Sequence, residues 1–399
     1  MAVENLAIVA ADGAPSLARE AVQPHLATLR WCGFCRLSPR RAAHDLYCWF
    51  ALLVTTTYLL QECVYAYQER DDMDKLARVM FLLLCHVTSI VKQIVFHTKA
   101  HRIDLMVISF DEPAHGGAAP AEWRRALLEH TARSMARLQR AYAGTAVLTC
   151  TLWIVFPIMY YMRGQNVEFP FWTGVDYSHL GKFSLVLVYS YYVTTLVGIA
   201  NTTMDAFVAT VLFQCKTQLS ILRANFETLS ERAVEKSYNR EQYDFILNQL
   251  FLECLDHYKK ITVILSLLQD IFGSAILIQF GIGGWILCMA AYKLVSLNVL
   301  SVEFASMTLF ITCILTELFL YCYYGNEVQV ESDKLMESMY RSGWLGAGLR
   351  FQRALLLAME RAKRPLRPAA GLIIPLSLDT FVKILKSSYT FYAVLRQTK

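Results

Sequence analysis

Charged side chains are scarce in this sequence. They make up 18% of the residues, whereas 55% are hydrophobic, and a soluble domain carries roughly 25% charge. The apolar residues gather in runs long enough to cross a bilayer, which takes about 20 mainly apolar residues per helix. The composition therefore argues against a soluble globular domain and indicates a membrane protein.

Several other signatures are also missing. The eleven cysteines are odd in number and irregular in spacing, which argues against a disulfide framework. No basic stripe with interleaved aromatic residues is present, so nucleic acid is not an expected partner. Residues 1–20 contain no apolar run of signal-peptide length, and we expect the first membrane span to act as the targeting signal.

Motifs that resemble catalytic or metal sites are weak. Cys32-Gly-Phe-Cys35 lacks the βαβ pattern of a redox site, and His97 and His101 lack a third ligand. These two histidines are better interpreted as a solvated basic helix end. Gly281, Gly283 and Gly284 lie in an apolar run, which favours close helix packing, and the Asn201 glycosylation sequon falls within a span. We expect no enzyme activity, cofactor or metal.

Seven apolar segments predict an all-α polytopic fold with seven transmembrane helices. The seventh is the weakest, because Asp379, Lys383 and Lys386 interrupt it. Polar residues at membrane depth usually face protein or water, so an interrupted last span is typical of a pore-lining helix. The segments are 46–67, 76–97, 141–162, 183–213, 261–291, 302–324 and 376–395.

The distribution of basic residues predicts the orientation. Of the 38 lysines and arginines, 27 lie in the N-terminal arm and the second, fourth and sixth connections. Because cytoplasmic segments are rich in lysine and arginine, we expect a cytoplasmic N-terminus and an extracellular C-terminus. This orientation is opposite to that of a G-protein-coupled receptor.

The connections on the predicted cytoplasmic side have an amphipathic 3.6-residue pattern. It covers the stretch after Gln214, residues 243–260 and residues 331–361, and it indicates a helical intracellular anchor domain. We therefore divide the chain into an N-terminal arm (1–43), spans one to four (44–213), helical extensions (214–260), spans five and six (261–324), an anchor helix and linker (325–375), and span seven with the C-terminus (376–399).

Four charged residues lie within or near the membrane: Lys92, Asp205, Asp270 and Glu317. Such charges usually mark a water-filled route or a buried pair. A position at a helix end or a subunit contact is an equally good interpretation.

Aromatic and small polar side chains at helical spacing outline a candidate cavity in one half of the membrane. Few polar groups among aromatic walls are typical of a site for a small apolar ligand, although helix packing or an interfacial aromatic belt would produce the same pattern. The candidate residues on spans two, three, four and six are Met80, Leu83, His86, Val87, Thr149, Trp153, Phe156, Tyr189, Tyr192, Leu196, Phe304 and Thr308.

The C-terminal third resembles the insect odorant-receptor family. The resemblance is carried by LYCYYGNE at 320–327, Tyr340-Arg-Ser-Gly-Trp344, Arg361-Ala-Lys-Arg-Pro365 and PLSLDTFVKILKSSY at 375–389. It implies an odorant-gated, non-selective cation channel of four subunits in the plasma membrane of olfactory sensory neurons. The implied ligand is a volatile odorant bound in the outer membrane half.

The resemblance also implies partners and a pore. The chain lacks the long insertion of the common co-receptor, which favours an odorant-specific tuning subunit that assembles with that co-receptor or with itself. The seventh helix would line the pore, with Val394 as an apolar gate that closes by dewetting. The predicted pore face is Lys383, Ser387, Thr390, Val394 and Gln397.

Two alternatives remain. A gustatory-type channel of the same superfamily differs in ligand and in homomeric assembly. A G-protein-coupled-like receptor with inverted topology is the other. A conventional G-protein-coupled receptor would need an external N-terminus, so the accessibility of the termini distinguishes that class. Inverted repeats of a transporter and clustered catalytic residues are not found.

Overall fold

The computed structural model describes residues 17–36, 42–110, 121–164, 167–174, 179–295, 297–299 and 301–397, and helices dominate it. Lipid cannot satisfy backbone polar groups, so a chain that crosses the membrane as separate segments must do so as helices. The helices are α1 (Leu17–Glu20), α2 (Gln23–Trp31), α3 (Ala42–Gln68), α4 (Met73–Thr98), α5 (Ala100–Ile108), α6 (Ala121–Met162), α7 (Leu180–Glu227), α8 (Leu229–Lys236), α9 (Arg240–Val295), α10 (Val302–Asp333), α11 (Leu335–Tyr340), α12 (Leu349–Ala362) and α13 (Leu378–Gln397).

Seven long helices stand where the sequence predicts seven spans: α3, α4, α6, α7, α9, α10 and α13. By length and composition, five stretches of the described chain could cross a membrane, namely Val79–Thr98, Glu122–Met162, Leu180–Glu227, Arg240–Val295 and Val302–Tyr340. Of the seven long helices, the first (α3) and the last (α13) do not meet that criterion. Glu62 and three consecutive threonines dilute α3, and Asp379, Lys383 and Lys386 dilute α13.

The long helices pack as a bundle around α7. Helices α6 and α10 both lie along α7, while α4 packs between α3 and α9. Small residues allow close approach: a side chain at Gly198 would meet Ala146 and Cys150 of α6, and one at Gly283 would meet Leu318 of α10. Small residues at helix crossings are the usual packing device in membranes. The N-terminal helix α2 is fixed to the bundle by His25, whose Nε2 lies 3.0 Å from the Thr210 hydroxyl.

One end of the bundle, called the anchor end here, consists of α8, α11, α12 and the adjoining parts of α7, α9 and α10. Phe251 of α9 packs edge-on against both Phe226 and Phe351, at ring distances of 6.3 and 5.3 Å. Arg223 of α7 donates to Glu331 of α10 (2.5 Å). Aromatic burial and an ion pair therefore join four helices, as the amphipathic pattern predicts.

The predicted amphipathic stretch 331–361 is several helices rather than one. Helix α10 ends at Asp333, α11 ends at Tyr340, and a short 3₁₀ turn (Trp344–Gly346) precedes α12. Gly343 has φ 71°, a left-handed conformation that ends helices and favours glycine. A Cβ atom at Gly343 would also lie 2.9 Å from the Ser230 Cβ.

A small hairpin leads into α13. Strands β1 (Ala369–Ala370) and β2 (Ile374–Pro375) pair antiparallel, and Gly371 turns between them at φ 56°. Helix α13 then packs against α9 and α10. At Gly325 of α10, an added Cβ would lie only 2.4 Å from the Leu376 Cβ, so glycine is needed for this close approach.

Candidate functional site

Two adjoining chambers lie between α4, α6, α7 and α10. The rim chamber also includes residues 168–170 of the connection between α6 and α7, and it has a volume of about 160 Å³. The deep chamber reaches Glu317 and has a volume of about 90 Å³. One ordered water needs about 10–15 Å³ of such a cavity, so each chamber has room for several. Four residues line both chambers: Leu82, Cys150, Trp153 and Thr194.

Aromatic side chains separate and line the chambers. Phe81, Trp153 and Phe310 form a triangle with ring distances of 6.2, 5.6 and 5.1 Å. Such distances are those of favourable aromatic pairs. Trp153 extends from α6 between helices α4 and α10, so one side chain contacts both chambers.

The connection 167–174 forms part of the rim, and contacts with α3 and α4 hold it in place. The backbone N–H of Trp172 donates to Gln61 O of α3 (3.1 Å). Lys75 Nζ lies 3.1 Å from Glu168 and 3.3 Å from Glu69. Hydrogen bonds to these carboxylates raise the pKa of Lys75, and the bond to Glu168 contributes most. Because Glu168 itself lines the rim chamber, the chamber wall includes a fixed ion pair.

The deep chamber ends at a buried charge cluster, defined as Lys92, Asn201, Asp205, Glu317 and Tyr321. Lys92 Nζ of α4 donates to Asp205 Oδ1 (2.5 Å), Glu317 Oε1 (2.6 Å) and Asn201 Oδ1 (3.0 Å). The Tyr321 hydroxyl also donates to Asp205 Oδ1. The lysine and both carboxylates are less than 5% exposed. Such burial is tolerated only when charges are paired and hydrogen-bonded.

The cluster joins three of the four charges singled out in the sequence. They are 113 and 112 residues apart along the chain, on α4, α7 and α10, and only the fold brings them together. Asp270 lies elsewhere: it pairs with Arg102 at 2.9 Å, and its side chain is 58% exposed. The buried-pair interpretation holds for three residues, whereas Asp270 lies within the middle of α9 and forms a surface ion pair.

Four of the twelve predicted ligand residues line the chambers. His86 and Thr149 line the deep chamber, Phe156 the rim chamber, and Trp153 both. His86 Nδ1 lies 2.9 Å from Glu62 Oε2, so a second buried carboxylate orients the imidazole.

The other eight do not line either chamber within the described part of the chain. Tyr192 is 49% exposed, the Tyr189 hydroxyl donates to Gln61 Oε1 (3.0 Å), and Thr308 is exposed on α10. The remaining five are Met80, Leu83, Val87, Leu196 and Phe304.

The difference on α7 is a rotation of about one residue. The predicted residues are 189, 192 and 196, whereas the chambers use 187, 190, 191, 194, 197, 198, 201 and 202. One residue turns a helix by about 100°, so the two faces are neighbours. On α10 the chamber residues missed by the prediction include Ser306, Phe310 and Glu317. Two polar residues could have indicated the inward faces: Glu317 on α10 and Asn201 on α7.

The predicted pore residues share a surface of α13 that the chain itself does not cover. Lys383, Ser387 and Thr390 are exposed, and Val394 is 53% exposed; the Gln397 side chain lies outside the described residues. Other side chains of α13 pack inward: Thr380 and Ser388 are buried, and Phe391 stacks on Trp285 at 5.5 Å.

The weaker motifs have structural explanations. Cys32 and Cys35 are buried free thiols, and burial raises the pKa of Cys32 to about 12, whereas redox chemistry needs a thiolate. His97 was expected to be solvated, and this was wrong: it is buried, and its Nδ1 lies 2.7 Å from the Gln93 carbonyl oxygen. No group of metal-ligating side chains occurs among the described residues.

The comparisons with known proteins identify the family. The model of the 7tm odorant receptor family matches residues 72–389, and the chain belongs to this family. It is 25% identical to odorant receptor 94a of Drosophila melanogaster over 59% of each chain. It is 24% identical to odorant receptor Or2 of Anopheles gambiae, over 69% of this chain and 71% of that one. The chain thus spans less than two thirds of the length of odorant receptor 94a.

Solved structures show the same fold. The insect olfactory receptor OR5 from Machilis hrabei, in complex with eugenol, superposes with a TM-score of 0.81 over 95% of this chain and 98% of that chain. The sequence identity is 16%. The predicted all-helical membrane fold is confirmed, and the chain is a multi-pass membrane protein.

Proposed function

We propose that the chain is the odorant-binding subunit of an odorant-gated, non-selective cation channel. The single observation that carries the proposal is the pair of aromatic chambers around Trp153, in a chain of the odorant receptor family. The chambers are mainly apolar, with a few polar groups at fixed positions, which is the usual make-up of a small-molecule site. A volatile odorant would fill them, and it opens the channel only if it binds the open arrangement more tightly than the closed one.

Replacing Trp153 tests the binding site. Trp153→Ala removes the ring that contacts both chambers, so we expect the odorant concentration for half-maximal current to rise at least about tenfold, as expected for a central aromatic contact. Trp123→Ala is the matched control, because Trp123 lies on the same helix and is 42% exposed. Equal responses of the two variants would contradict this site.

The assembly we propose is a tetramer, either with a co-receptor subunit or of identical chains. The support is the uncovered face of α13, which carries Lys383, Ser387, Thr390 and Val394, and which a central pore would use. Val394→Ser should raise the current without ligand, because a polar ring removes the barrier that an apolar constriction presents to ions. Unchanged basal current and ion selectivity would count against Val394 as the gate.

The orientation and location belong to the same proposal. The bias of basic residues supports an N-terminus in the cytoplasm and a C-terminus outside, in the plasma membrane of olfactory sensory neurons. A tag at Lys399 should be labelled from the medium in intact cells, whereas a tag at Met1 should require permeabilised cells. Currents recorded with and without a co-receptor distinguish the two assemblies.

A further inference from the structure

The wall of the deep chamber includes a carboxylate with unused hydrogen-bonding capacity. Glu317 lines the chamber and is 4% exposed. Only its Oε1 accepts a hydrogen bond from a described residue, the one from Lys92. Asp205 Oδ2, in the same cluster, is buried and has no partner among the described residues. A buried carboxylate oxygen without a donor is costly, so this end of the chamber favours a ligand that donates.

The charge of the cluster favours a donor that is a cation. The cluster contains one cation, Lys92, for two carboxyl groups, those of Asp205 and Glu317. His86 and Glu62, which form the neighbouring part of the wall, add a carboxylate and an imidazole. The imidazole can at most balance its own partner, so the floor of the chamber has one more carboxyl group than it has cations. An ammonium group would supply the missing counter-charge for that carboxyl group, which is costly to leave ionised and unpaired in a dry interior.

The rest of the chamber suits the apolar body of such a ligand. Trp153, Phe310 and Tyr142 present aromatic surfaces to the deep chamber. Aromatic faces within about 6 Å attract a cation, which adds to the attraction of the carboxylate. The larger, mainly apolar rim chamber adjoins the deep chamber at Trp153, on the side toward which the remainder of the molecule would extend.

We propose that the deep chamber is a subsite for the ammonium group of a small amine. The ammonium donates to Glu317, and the hydrocarbon part of the amine lies along Trp153 and Phe310 toward the rim. This inference names a ligand class for the proposed odorant site and rests on that proposal for its physiological role. The binding event itself is independent of channel opening and is tested separately.

The test compares three ligands of one shape on the purified full-length chain: benzylamine, benzyl alcohol and toluene. Binding is measured from the ligand-dependent rise in melting temperature. Wild type should bind benzylamine at least about tenfold more tightly than benzyl alcohol, the low end for a hydrogen bond to a charged group. Toluene should bind most weakly of the three.

Two variants locate the effect. Glu317→Gln keeps the shape and removes one negative charge, so the amine-to-alcohol ratio should fall to about one, as expected when the ion pair is lost. Asp270→Asn is the matched control, because it neutralises an exposed carboxylate outside both chambers, and its ratio should equal that of wild type. Because each ratio is taken within one protein, differences in yield do not affect it.

The outcomes separate this inference from the proposed function. A wild-type ratio near one, or a preference that survives Glu317→Gln, overturns the amine subsite even if benzyl alcohol evokes current. A preference that Glu317→Gln abolishes supports the subsite. If in that case no ligand evokes current with or without a co-receptor, the channel proposal fails and the subsite stands.

Discussion

Replacing Lys92 should destabilise the bundle more than replacing any exposed lysine. Lys92 donates three short hydrogen bonds, to groups on α7 and α10, from a side chain that is 5% exposed. Lys92→Met keeps most of the volume but leaves Asp205 and Glu317 without a counter-charge. Removing one partner of a buried ion pair typically costs about 3–5 kcal/mol, and the loss here is shared between two carboxylates that then also repel each other.

The measurement is the thermal melting of the detergent-solubilised full-length chain. Lys92→Met should melt well below wild type, whereas Lys182→Met, which removes an exposed lysine of α7, should melt within error of wild type. Adding Asp205→Asn to Lys92→Met restores the net charge of the cluster, so the double variant should recover part of the loss. Coupling between contacting residues is commonly about 0.5–3 kcal/mol.

Two results would refute this reasoning. One is a Lys92→Met protein with the same melting temperature as the Lys182→Met control. That result would mean that the Lys92 ammonium does not hold the three helices together. The other is a double variant that shows only the sum of its single effects. That sum would mean that Lys92 and Asp205 act independently despite the 2.5 Å distance.

Two further predictions concern packing and the anchor end. Gly325→Ala should lower the yield of folded protein, because it forces a Cβ to within 2.4 Å of the Leu376 Cβ. Such overpacking typically costs about 1–3 kcal/mol. Gly281→Ala, whose Cβ meets nothing within 4 Å, should fold normally, and equal yields of the two variants would contradict the prediction. Arg223→Met should lower the melting temperature, because it leaves the largely buried Glu331 without its 2.5 Å partner, a loss of about 1–3 kcal/mol. Arg341→Met, which breaks an exposed pair with Glu337, should change stability by under about 1 kcal/mol, and comparable losses in both arginine variants would argue against the anchor-end ion pair.

Hydrophobic patterning predicted the positions of all seven long helices and the amphipathic extensions at the anchor end. It could do so because a membrane span and an amphipathic helix each have a length and a period that are visible in one sequence. Two of the seven helices, α3 and α13, are too polar to be recognised as membrane spans by length and composition alone. Apolar runs nevertheless placed both, at 46–67 and 376–395.

The faces of the helices could not be predicted to the same degree. Between residues 186 and 200 the sequence of α7 is apolar or aromatic on nearly every side, and a helix that is hydrophobic all round gives no sign of which side meets a cavity. The stripe through Tyr189 and Tyr192 was therefore one residue away from the face that the chambers use. Trp153, Thr149 and Phe156 line the chambers together, because their spacing places them on one face of α6.

The charge cluster shows a different limit. Lys92, Asp205 and Glu317 were recognisable one by one as costly residues in a membrane, but their mutual distances depend on how three helices are rotated. The same holds for His97, whose neighbours Lys99 and Arg102 indicated a solvated helix end. Its burial depends on α3, since the ring lies 6.2 Å from Trp49.

Helix α7 connects the chambers to the anchor end as one continuous helix. Thr194 lines both chambers and Arg223 binds Glu331, and both belong to the one unbroken helix Leu180–Glu227. Their 29-residue separation corresponds to about 44 Å along the axis at about 1.5 Å per residue. Because the helix is continuous over this length, a tilt of about 3° about the chambers shifts Arg223 by about 2 Å. The width of a small-molecule cavity and the geometry of a remote ion pair therefore depend on the position of the same helix.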